Sequence, residues 1–152
     1  MNALLDLAAV GPGDRVLLSP GGAGHLAAAL AGRAAEIVAV EPNPDAVADA
    51  AENLDTFDNV AIYEGTEEDV LPALPDEPDV VVLRPADGLS PAGFGLLERL
   101  RPRKRVVIIS EVGPLAKDAK RLTKMGYRPV ALQPVDVAPQ GFQVEMVSLW
   151  RK

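Results

Sequence analysis

Cysteine is absent from this 152-residue chain, and histidine occurs once, at His25. The first absence removes disulfides, thiolate zinc sites and any cysteine nucleophile. The second removes histidine metal clusters and a Ser-His-Asp triad, so no metal is expected. Apolar runs of membrane-spanning length are missing too, and residues 1–10 carry Asp6 and no basic stretch. These absences leave a soluble chain expected in the cytoplasm, away from membranes. Its length suits one domain over residues 1–152, with a single core. Positive charge is scarce at first: residues 1–100 hold four Lys/Arg against 18 Asp/Glu, and residues 101–152 hold 11 against four. The net charge of −7 argues against a polyanion-binding surface over the whole molecule. The asymmetry marks a nucleic-acid-facing or self-complementary surface, or else helices with solvated faces, which is the commoner case.

What is present is an alternation of strands and helices, the pattern of a parallel sheet with crossovers. Helices are expected at 2–10, 25–33, 45–54, 67–74, 91–100 and 115–125. Strands are expected at 15–19, 36–40, 60–63, 79–83 and 105–110. Asn43 is placed to cap the third helix, with Pro44 at its first position, and Gly126 to end the sixth. Residues 128–135 and 142–150 then read as two extended segments with no room for a crossover helix. They must be antiparallel neighbours. The expected fold is α/β, a mostly parallel seven-stranded sheet closed by a C-terminal antiparallel hairpin.

Open α/β sheets bind ligands beyond the carboxyl ends of their strands. There the first strand runs into Gly22-Ala23-Gly24-His25-Leu26-Ala27, a G-x-G-x-x-G/A pattern. Glycines let the backbone turn and approach a ligand, and the helix start offers free N–H groups. Glu41, ending the second strand 17 residues after Gly24, is placed to accept the ribose hydroxyls of an adenosine-containing cofactor. His25 reads as a helix-start side chain, with ligand contact the rarer case. The basic run Arg99, Arg101, Arg103, Lys104 and Arg105 falls at the opposite end of the sheet and reads as a solvated turn. Glu67, Glu68 and Asp69 complement a helix dipole, and Trp150 belongs to the core or covers the edge.

The closing hairpin resembles the Rossmann-like sheet of class I S-adenosylmethionine-dependent methyltransferases, and the last third is more specific. The run Leu132-Gln133-Pro134-Val135-Asp136-Val137-Ala138-Pro139-Gln140-Gly141-Phe142-Gln143-Val144-Glu145 resembles V-Q-P-V-D-M-F-P-H/Q-T-x-H-V-E of the RNA uracil-C5 methyltransferases. Upstream, Asp79-Val80-Val81-Val82-Leu83-Arg84-Pro85-Ala86-Asp87-Gly88-Leu89 is similar to that family's D-x-V-V-L-D-P-P-R-x-G-L. Val107-Ile108-Ile109-Ser110-Glu111, followed by Leu115-Ala116-Lys117-Asp118, is similar to V-Y-V-S-C-N-P-x-T-L-A-R-D-L. The glycine loop is similar to V-L-D-L-Y-C-G-x-G-x-F. The resemblance runs in order along nearly the whole chain and covers the family's catalytic domain only.

That family adds a cysteine to uracil, transfers a methyl group to the activated carbon and removes a proton with a base. Here Glu111 stands at the cysteine's position, Arg84 at the substrate-contacting aspartate's and Gln143 at the histidine's. Leu18 replaces the acid before the glycine loop, and Thr66 the acid on the adenine side. Glu145 falls on the general base. The resemblance therefore assigns Gly22, Gly24, Glu41 and Thr66 to a weakened S-adenosylmethionine site, and leaves Glu111, Arg84 and Glu145 with no covalent reaction to perform. Arg84 and Glu111 are expected to form an ion pair in the former substrate pocket. The reading is a methyltransferase-like domain that binds S-adenosylmethionine, a nucleoside or a protein without catalysis. Its alternatives are a methyltransferase with a different acceptor and a dinucleotide-binding domain. RNA, a protein or a second copy are the expected partners, the first two through the basic last third.

Overall fold

The computed structural model describes residues 1–136, 140–141 and 144–152. Helix α1 (Asn2–Ala8) precedes five strand-helix units: β1 (Arg15–Ser19) and α2 (His25–Ala31), β2 (Glu36–Glu41) and α3 (Pro44–Asn53), β3 (Val60–Glu64) and α4 (Glu67–Val70), β4 (Val80–Leu83) and α5 (Pro91–Leu100), β5 (Arg105–Glu111) and α6 (Val112–Lys124). Strands β6 (Arg128–Asp136) and β7 (Val144–Arg151) follow. They form one seven-stranded sheet in the order β3-β2-β1-β4-β5-β7-β6. The first five strands pair in parallel, and β7 runs antiparallel to both β5 and β6. The expected closing hairpin is there, with β7 inserted between β5 and the edge strand β6. The Gln143 replacement lies outside the described residues.

Alternation along the strands divides the core into two layers. Val16, Leu18, Val80, Val82, Val107 and Val147 meet α1, α2 and α3 on one face. Leu17, Val81, Leu83, Ile108 and Trp150 meet α5 and α6 on the other. Central strands apolar on both faces are what a parallel sheet covered by helices requires. Trp150 is 2% exposed, and its Nε1 donates to Ser148 Oγ at 2.8 Å. The Ser148 hydroxyl in turn donates to the Ile108 carbonyl at 3.1 Å.

Helix ends follow local chemistry. Asn43 Oδ1 accepts the Asp45 N–H at 3.0 Å, with Pro44 in the first turn as expected. Gly126, at φ +92°, follows the end of α6. The segment expected as one helix over 67–74 instead breaks into α4 and a 3-10 turn at Leu71–Ala73. Pro72 has no N–H to continue α4. Helix α6 starts earlier than expected because Gly113 and Pro114 sit in its first turn, where a proline costs no helical hydrogen bond.

Three of the five residues in the basic run at the amino end of the sheet pair with nearby acids. Arg99 pairs with Asp76, Arg101 with Glu77 at 3.9 Å, and Lys104 with Asp14. Arg99, Arg101, Arg103 and Lys104 are exposed, in keeping with the expected solvated turn, and Arg105 is half-buried.

Candidate functional site

The carboxyl ends of β1, β2 and β4 converge on a cleft, as the topology requires. Ser19 ends β1 in the buried layer, and its hydroxyl donates to Glu67 Oε1 at 2.6 Å. Pro20, Gly21 and Gly22 turn the chain toward α2. The Gly21 N–H donates to the Val40 carbonyl at 2.8 Å, so the loop lies directly over the end of β2. Two cavities open beside it. One, of about 310 Å³, is walled by Val40, Pro42, Thr66, Glu67 and Glu68. The other, of about 220 Å³, is walled by Leu83, Pro85, Gly88 and Leu89. Ser19, Pro20, Glu67 and Ser90 line both, so the two adjoin.

Glu41 is 5% exposed, and both carboxylate oxygens are engaged. Oε2 accepts the Gly22 N–H at 2.7 Å, and Oε1 accepts the Asn43 N–H at 2.9 Å. The acid read as a ribose ligand thus clamps the glycine loop to the start of α3. The two motif glycines also differ in kind. A methyl group on Gly24 (φ +87°) would lie 2.9 Å from Leu54 Cδ1, so this glycine lets α2 pack against α3. A methyl group on Gly22 (φ +58°) would meet nothing within 4 Å, so no neighbouring side chain packs against that flank of the loop.

Thr66 does line the larger cavity, but its hydroxyl is committed to α4. Oγ1 accepts the Asp69 N–H at 3.2 Å and donates to Asp69 Oδ2 at 2.7 Å. Leu18 is 1% exposed and belongs to the core. His25 is exposed at the start of α2. Glu67 was read only as a dipole partner, yet it borders both cavities. The signal for it was Ser19, the residue at the carboxyl end of the first strand.

The second corner of the site corrects an expectation. Arg84 pairs with Glu145 and not with Glu111, its Nη2 lying 3.2 Å from Oε1 and 3.4 Å from Oε2. Arg84, Ile109 and Glu145 line one cavity on the α1/α2 face of the sheet, so Arg84 reaches across the apolar Ile109 to β7. Glu111 leaves that surface as the chain enters α6, and it is exposed. It remains directly opposite Glu145 in the β5–β7 register. Met1, Leu4, Leu26, Val135 and Val147 complete the cavity, which holds about 200 Å³ and is mostly apolar.

Asp118, which sequence reasoning used only as a motif letter, holds the wall of the smaller cleft cavity. Its Oδ2 accepts the Leu89 N–H at 2.8 Å from α6. Burial raises its pKa above the ordinary carboxylate value, and that hydrogen bond only partly opposes the rise.

No family model matches the chain. Individual relatives do. An uncharacterized RNA methyltransferase of Lactococcus lactis is 31% identical, covering 97% of this chain and 33% of the relative. A 23S rRNA (uracil(1939)-C(5))-methyltransferase of Alkalilimnicola ehrlichii is 34% identical, covering 100% of this chain and 36% of the relative. The chain therefore spans about a third of the length of the curated relatives it matches. Among solved structures, the Pyrococcus abyssi tRNA (uracil-54, C5)-methyltransferase in complex with S-adenosyl-L-homocysteine superposes with a TM-score of 0.81. The superposition covers 99% of this chain and 37% of that one at 22% identity, a likeness of fold. The expected α/β fold, a mostly parallel seven-stranded sheet with antiparallel C-terminal strands, is the part that superposes.

Proposed function

We propose, from the premise that the chain fits the RNA uracil-C5 methyltransferase family over a single domain, that it binds S-adenosylmethionine without methylating uracil. The observation that carries the binding is the cleft, two adjoining cavities of about 220 and 310 Å³ that share Ser19 and Pro20, where β1 runs into the glycine loop. Its residues suit the cofactor. Pro42 offers an apolar surface to a purine, and Glu67 and Glu68 supply negative charge to a ligand with a sulfonium and an ammonium group. Glu41 reaches a ribose only by sharing an oxygen that already accepts Gly22 or Asn43. Bound there, the cofactor would supply an electrophilic methyl group. No described helix is long and apolar enough to cross a membrane; the likeness to RNA methyltransferases is what supports a cytoplasmic place for the domain.

The loss of uracil chemistry follows from the residues that remain. Methylation at that carbon needs a nucleophile to add first, and the chain has no cysteine. Glu111, at the matching position, offers a carboxylate, a much weaker nucleophile than a thiolate. Glu145, at the base's position, is paired with Arg84. Without the adduct there is no proton for it to take.

Calorimetric titration with S-adenosylmethionine and S-adenosylhomocysteine tests the binding, with Glu41→Ala and Glu67→Ala as controls. Micromolar affinity weakened in both variants is expected. No heat at millimolar ligand would remove the binding reading. Methyl label appearing in uracil of an RNA substrate would remove the non-catalytic one.

A further inference from the structure

We propose that the groove between α6 and β6 docks an acidic amphipathic helix of another polypeptide. Helix α6 covers β5 and β7 but stops short of the edge strand, leaving a groove of about 250 Å³. Met146 and Trp150 form its floor, and Val112, Ala116, Ala119 and Leu132 its walls. Val112 and Leu132 are 57% and 55% exposed, large aliphatic side chains standing in water on facing walls. Apolar surface gathered in this way marks an interaction site more often than scattered exposure does.

The helix carries three stripes at helical spacing. Leu115, Asp118 and Leu122 are buried. Val112, Ala116 and Ala119 face the groove. Lys117, Lys120 and Lys124 are exposed on the helix's outward face, with Lys120 nearest the groove stripe. None of these three lysines lies within 4.0 Å of a carboxylate among the described residues. The contrast with Arg99, Arg101 and Lys104, each paired with its own acid, is direct. An apolar trough beside an unneutralised basic helix face complements a helix with aliphatic residues on one face and carboxylates flanking them.

Other occupants fit less well. The edge of β6 carries Pro129 and Pro134, whose missing N–H groups discourage an added strand. Trp150 is buried and the walls are aliphatic, so no aromatic platform is offered to a nucleic-acid base. A second copy docked groove to groove would set the lysine rows against each other. Docked head to tail, it would present α3, whose exposed acids Asp45, Asp49 and Glu52 alternate with alanines too short to fill the trough.

The test uses a fluorescent helical peptide of about 15 residues, with leucines three and four apart and glutamates between them. A matched peptide carries lysine in place of glutamate. The acidic peptide should bind at least about tenfold more tightly than the basic one, and raised salt should weaken it. Leu132→Glu and the pair Lys120→Glu/Lys124→Glu should each reduce that binding about tenfold or more. Arg99→Ala should leave it unchanged. All these positions are exposed on the surface, and unchanged melting of each variant confirms that the fold stands. Equal binding of the two peptides, or insensitivity to Leu132→Glu, would overturn the proposal. So would an RNA oligonucleotide that binds through the lysines while the peptide does not, or self-association through the groove in sedimentation.

Discussion

Glu41, at the end of β2, accepts the backbone N–H of Gly22 at 2.7 Å, tying the loop after β1 to the strand beside it. The same carboxylate accepts Asn43 N–H at 2.9 Å, so a single side chain sets the loop and the entry to α3. Removing it leaves two donors without their charged acceptor. Glu41→Ala should therefore cost about 2–4 kcal/mol, a fall in melting temperature that calorimetry resolves. Glu41→Gln, which keeps one oxygen acceptor, should cost less. If both variants melt with the wild type, the clamp is not what orders the loop.

The two motif glycines should separate folding from binding. Gly24→Ala forces a left-handed backbone and a contact of 2.9 Å with Leu54, for a destabilisation of about 1–3 kcal/mol. Gly22→Ala meets only open space, so its cost is the backbone term alone, about 1 kcal/mol. Urea melts should rank the variants in that order. Titration of S-adenosylmethionine, with each variant held under folding conditions, should respond more to Gly22→Ala, because Gly22 is the motif glycine whose side-chain direction no protein atom fills.

The architecture was legible because parallel strands impose strong local signals. The apolar run Val80–Leu83, the Asn43-Pro44 helix start and two extended segments with no room for a helix each had one structural reading. The site was less legible, because position beyond a strand end does not reveal where a side chain turns. Glu41 turned inward to backbone donors that any glycine loop exposes, and Thr66 to the first turn of its own helix. Arg84 pairs with Glu145 because both line one cavity with Ile109 on the same face of the sheet, while Glu111 departs into α6. Those choices depend on three-dimensional neighbours that spacing in the chain does not encode.

The Arg84–Glu145 pair should matter little to stability. The two side chains are 58% and 26% exposed, and pairs of that kind contribute about 0–1 kcal/mol. Arg84→Ala should fall in that range in chemical denaturation. Arg84→Glu should cost more, since Glu111 already faces Glu145 and a third carboxylate would crowd the corner. Added salt should narrow the gap between the two variants. A gap indifferent to salt would mean that packing on Ile109, and not charge, holds the arginine.

Two buried aspartates should give opposite responses to acid. For Asp14, burial alone would raise the pKa, but Lys104 and the Gly11 N–H outweigh it and hold the group below the ordinary value of 3.8. Its ionised form therefore stabilises the fold, fully above that value, and the contribution is lost as pH falls through the lower folded pKa. Asp118 is raised by burial, so its ionised form costs stability at neutral pH. That cost disappears as pH falls through the raised value toward 3.8, where the folded state binds the proton first. Asp118→Asn keeps an oxygen for the Leu89 N–H and removes the charge, so it should be more stable than wild type at pH 7. Its advantage should shrink on acidification. Asp14→Asn should be less stable at pH 7, with a deficit that persists to lower pH before closing. Urea melts at intervals from pH 7 to pH 3 would display both trends, and an Asp118→Asn deficit at neutral pH would show that the Leu89 contact outweighs desolvation.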